Sequence, residues 1–122
     1  MSLMSDDDLT IEAQDALAIA KLAEAGADLD APRTIWHFVY MAQGESAAAI
    51  ADELRRRGFH IEQRHDTDAK WLVLASHEAI LSSATLASTR HSMEALIAEL
   101  GAGEYDGWEA EARPHKSHAK PN

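Results

Sequence analysis

A chain of 122 residues, 46% apolar and 26% charged, suits one globular domain around one hydrophobic core. It has no cysteine, which excludes disulfides, thiolate metal centres and thiol nucleophiles, and no stretch approaches the roughly 20 apolar residues of a membrane-spanning helix. The net charge of −10 is uneven, with eight carboxylates against Lys21 alone between positions 6 and 30, and six with no base between 94 and 111. Such a chain repels phosphate backbones and anionic lipid, so direct nucleic-acid binding is not expected; the charge serves either plain solubility, the commoner case, or a basic protein partner.

Asp6, Asp7 and Asp8 stand where a signal peptide would carry basic and apolar residues, so cytoplasmic residence is expected. The first predicted element is a helix over 8–25, with Ile11, Leu17 and Leu22 on an apolar stripe, the aspartates at its positive end and Gly26 as its stop. After a connector containing Pro32, the run Thr34, Ile35, Trp36, Phe38, Val39 and Tyr40 predicts a strand over 33–41, apolar on both faces and therefore central. Ala47, Ile50, Ala51 and Leu54 recur at helical spacing and predict a helix ending on Arg55, Arg56, Arg57 and Gly58. Alternation of Phe59 and Ile61 with His60, Glu62 and Arg64 predicts a half-exposed strand over 59–66. A turn at 66–69 and a buried strand over 70–76 complete a hairpin.

Ser82 or Ser83 caps a further helix whose Leu86, Met93, Leu96, Ile97 and Leu100 share a face, and Gly101 and Gly103 end it. A short strand over 104–111, interrupted by Gly107, comes last, and 113–122 reads as a flexible polar tail. The order predicts an α+β, ferredoxin-like split βαβ sandwich. Four antiparallel strands carry both crossover helices on one face, with an extra N-terminal helix, in a single domain over 8–112.

Catalysis finds no support in these residues. General acid–base chemistry needs titratable groups converging in a pocket, and the carboxylates fall in like-charged runs. Ser76-His77-Glu78 contains the residue types of a hydrolase triad, but neighbours on a strand diverge. Of seven histidines, His60 and His65 fall on opposite strand faces, and His115 and His118 lie in the tail. No metal or cofactor site is expected. His37, inside an apolar strand, reads as a satisfied core histidine, and Trp71 as core. Trp36 and Trp108 fall on neighbouring strands, where an aromatic patch would serve binding. A second reading is a dimeric ferredoxin-like domain that binds a small ligand on its sheet, lined by Trp36, His37, Phe38 and Tyr40. A homodimer is compatible with either reading.

The most distinctive stretch is Glu104-Tyr105-Asp106-Gly107-Trp108-Glu109, where glycine within a strand marks a bulge or a close backbone approach. Two further features accompany it. Thr34-Ile35-Trp36-His37 follows a helix ending in Gly26-Ala27-Asp28-Leu29-Asp30, and Gly58-Phe59 opens the second strand. Over 11–111 the chain thereby resembles the regulator of ribonuclease E activity B (RraB-like) family. That resemblance implies the ferredoxin-like fold and a non-enzymatic role, inhibition of the endoribonuclease RNase E by binding it, largely through its non-catalytic RNA-binding scaffold. An acidic surface can mask an Arg-rich segment by occupying its cations. The residues expected to do so are Asp6, Asp7, Asp8, Glu12 and Asp15, with Tyr105, Asp106 and Trp108. Better-known members of the family end in a long acidic tail, whereas this chain ends in Arg113-Pro114-His115-Lys116-Ser117-His118-Ala119-Lys120.

Overall fold

The computed structural model describes residues 10–65 and 70–111. In chain order they form α1 (Ile11–Glu24), β1 (Arg33–Met41), α2 (Gly44–Arg56), β2 (His60–His65), β3 (Trp71–Ala79), α3 (Ser83–Leu100) and β4 (Gly103–Ala110). The N-cap of α1 is Thr10, whose hydroxyl accepts the Ala13 N–H at 3.0 Å, so the aspartate run precedes the cap and does not supply it. Asp6, Asp7 and Asp8 lie outside the described residues, as does the turn at 66–69. Helices α1 and α2 end alike. Gly26 and Gly58, both at φ 99°, let Ala27 and Phe59 donate to the carbonyls of Leu22 and Leu54 at 3.0 Å. Ser82, not Ser83, caps α3 by accepting the Thr85 N–H.

The strands form one antiparallel sheet in the order β2-β3-β1-β4. The apolar β1 is central, as its sequence predicts. β3 runs past the expected end at 76 to Ala79, because β1 offers it a partner at every position from Met41↔Trp71 to Arg33↔Ala79. Strand alternation sends Ile35, His37, Val39 and Met41 to one face, fully buried, and leaves Trp36, Phe38 and Tyr40 half-buried on the other.

The core occupies the first of these faces. Val39, Met41, Val73 and Ala75 meet Ile50, Ala51 and Leu54 of α2 and Met93, Leu96 and Ile97 of α3. A smaller cluster of Ile35, Leu81 and Leu86 takes in Ile19 and Leu22 of α1 together with Trp108. All three helices therefore cover the same side of the sheet, and α1 packs beside α3. This is the α+β layout expected. Trp71 departs from expectation: it is only partly buried, at the core margin, stacked on His65 with ring centroids 4.3 Å apart. Arg33 is buried and ties the connector to the end of β4, donating to the carbonyls of Asp28 and Glu111.

Candidate functional site

The site is made by an irregularity in β4. His37 pairs with Trp108 and Val39 with Tyr105, so Phe38 alone stands opposite both Asp106 and Gly107. Two residues facing one is a β-bulge, and Gly107 at φ 121° supplies the backbone conformation that a side chain would resist. Nothing lies within 4 Å of where a Gly107 Cβ would be, so of the two expected reasons for this glycine the bulge is the operative one. Tyr105 and Trp108 are three apart and would point to opposite faces of a regular strand. The extra residue turns both toward the helices.

There they meet two charged side chains from the apolar faces of α1 and α3. Asp15 and Arg90 are buried and form an ion pair. The other carboxylate oxygen of Asp15 accepts the Trp108 indole N–H at 2.8 Å. The Arg90 guanidinium lies over the Tyr105 ring, 5.9 Å from its centroid. From Tyr105 the network continues inward: its hydroxyl lies 2.9 Å from His37 Nδ1, and His37 Nε2 lies 3.1 Å from His77 Nε2. Two imidazole nitrogens this close need one proton between them, so the two rings cannot both be cationic. Burial pushes the His37 pKa down to about 3, helped by His77 and Arg90. Burial also lowers that of His77 and raises that of Tyr105.

Above the Asp15–Arg90 pair a cavity of about 350 Å³ opens between α1, α3 and the bulge. Trp108, Tyr105 and Ile11 supply apolar wall, and Glu94 and Asp106 stand exposed at its mouth. Among the described residues neither Glu94 nor Asp106 has an ion-pair partner, and the only cation lining the cavity, Arg90, is already paired. Glu94 and Glu104 border the adjoining groove between α3 and β4, which extends the negative surface along that edge.

The expected binding residues divide on this geometry. Glu12 is exposed. Asp15 is not a surface charge, because Arg90 and Trp108 hold it inside. Tyr105, Asp106 and Trp108 converge on the cavity. Trp36, His37, Phe38 and Tyr40 do not line one pocket: alternation buries His37 on the helix side and sets the other three on the opposite face. For the same reason Trp36 and Trp108, though on adjacent strands, form no joint patch. Arg90 escaped the sequence reading, and His77 entered it only within the rejected Ser76-His77-Glu78 triad. Arg90 sits four residues after Leu86 and three before Met93, on the apolar stripe of α3, and a charge on such a stripe signals a buried partner.

Arg55, Arg56 and Arg57 lie apart from this surface and pair within α2, with Asp52 and Glu53. They form no ion pair with Glu94 or Asp106. No curated protein matches the chain. A family model described as regulator of ribonuclease activity B, RraB, matches residues 12–110, from the first turn of α1 to the end of β4, and so takes in Asp15, Arg90, Glu94, Tyr105, Asp106 and Trp108. The chain belongs to the family of regulators of ribonuclease activity B.

Proposed function

We propose that this protein binds an RNase E-type endoribonuclease and slows its action on RNA without cutting RNA itself. Family membership supports a regulator of ribonuclease activity. The observation that carries the mode of binding is the uncompensated pair Glu94 and Asp106 at the mouth of an aromatic-walled cavity. Carboxylates at the rim attract a cation, and Trp and Tyr walls accept the aliphatic stem and planar head of an arginine. The ligand is then an Arg-rich segment of the nuclease, of the kind that holds RNA. Occupying its cations removes the charge that releases counterions from RNA and weakens the nuclease's hold on substrate.

Cleavage of a long RNA by RNase E, with and without the nuclease's non-catalytic RNA-binding scaffold, tests this reading. Added protein is expected to slow the full-length enzyme several-fold and leave the isolated catalytic part nearly unaffected. Equal inhibition of both forms, no inhibition of either, or RNA cleavage by this protein alone would sink the proposal.

A further inference from the structure

The face of the sheet away from the helices is unusually apolar for one exposed to water. An antiparallel sheet with one solvated face normally alternates apolar and polar residues. Here β1 contributes Trp36, Phe38 and Tyr40 to that face, and β3 contributes Leu72 and Leu74, all half-buried. None of the five belongs to either core cluster, and all three helices pack on the other side.

The register arranges this face in rows across the strands. Arg64, Leu72, Tyr40 and Glu104 form one row, and Glu62, Leu74 and Phe38 the next, with the bulge residues Asp106 and Gly107 opposite Phe38. His60, Ser76, Trp36 and Glu109 form the third. The apolar side chains fill the middle, a cation stands at the β2 end of the first row, and carboxylates stand at the β4 end of the first and third. We propose that this face binds a second copy of the same chain, face to face, about a two-fold axis parallel to the strands.

The charges select that axis. Sheets packed face to face keep their strands nearly aligned. A two-fold along the strands lays β2 of one copy over β4 of the other and keeps each row opposite itself. Arg64 then faces the second copy's Glu104, and His60 its Glu109, twice over by symmetry, two favourable meetings against one of Glu62 with the bulge at Asp106 and Gly107. A two-fold across the strands would instead stack β4 on β4 and bring Glu104 against the second copy's Glu109. Arg64 already pairs with Glu62 at 2.8 Å, but both side chains are largely exposed, so this bond gives way at little cost. The acidic cavity opens on the helix side and stays accessible, so the inference stands apart from the ribonuclease reading.

The test is sedimentation of the full chain across a dilution series, with Arg64→Glu and Glu104→Arg made separately. The unaltered protein is expected to be a dimer. Each single variant should weaken self-association about tenfold or more, since like charges then meet twice per interface. Mixing the two variants should restore the dimer, because in the heterodimer every exchanged charge meets its opposite. Phe38→Asp, with its fold checked by circular dichroism, should be monomeric. A wild-type monomer at every concentration overturns the proposal. A dimer indifferent to Phe38→Asp does so too, as does a mixture no more associated than either variant alone.

Discussion

Asp15 and Arg90 each stand on the apolar stripe of a helix, four residues after Ile11 and Leu86 respectively, and the structure shows why a charge is tolerated there. Each is the other's partner, and Trp108 takes the remaining carboxylate oxygen. Removing one member strands the other in the interior. Arg90→Met is expected to cost about 3–5 kcal/mol in urea denaturation, whereas Asp15→Asn combined with Arg90→Met should cost clearly less. Additive losses would show that the two do not act as a pair. His37 carries a second prediction. Its folded pKa of about 3 lies below its ordinary value of 6.5, so between those limits the unfolded chain binds a proton that the folded one refuses. Stability is therefore full above pH 6.5 and falls as the pH drops, by up to about 1.4 kcal/mol per pH unit from this residue. Between pH 6.5 and 5, His37→Asn should flatten that slope, and an unchanged slope would contradict the burial argument.

At the scale of elements, the bulge is what converts the stretch Tyr105-Asp106-Gly107-Trp108 from a strand into a site. Gly107 and Gly103 serve β4 in different ways, and substitution separates them. A Cβ at Gly107 meets only open space, so Gly107→Ala carries the cost of the positive φ alone, about 1–2 kcal/mol. A Cβ at Gly103 would lie 2.6 Å from the Tyr40 carbonyl oxygen, against backbone that cannot yield without disturbing the sheet. Gly103→Ala should therefore lower the melting temperature further than Gly107→Ala, and the reverse order would place the strain wrongly.

The elements themselves were legible because their hydrophobic periods are long and punctuated, as in β1 and α2. The ends of α1 and β3 were not, since a cap and a strand's length depend on which neighbour satisfies the backbone. The bulge was legible from its glycine. That it turns Tyr105 and Trp108 to the same side, and that alternation separates His37 from Trp36, Phe38 and Tyr40, required the register.

At the scale of the whole molecule, the described charges are unevenly paired. The arginines of α2 are matched by Asp52 and Glu53 on their own helix, and the Arg56 and Arg57 guanidinium groups hold the Glu53 carboxyl below its usual range. Along α3 and β4 the carboxylates of Glu94, Glu104 and Asp106 have no ion-pair partner among the described residues. Glu94 and Asp106 thus stand unpaired at the cavity itself, a placement that no count of residues could show. Opposite charge across an interface acts most strongly at low ionic strength and fades as the Debye length shrinks.

The most direct measurement is calorimetric titration of this protein with the non-catalytic scaffold of RNase E over a salt series, repeated with Glu94→Lys and Asp106→Lys. Binding is expected at low salt, weakening steadily as salt rises. Each exposed charge reversal should reduce the affinity about tenfold or more with the melting temperature unchanged. Absence of binding at low salt, or an affinity indifferent to both salt and the two substitutions, would contradict the account.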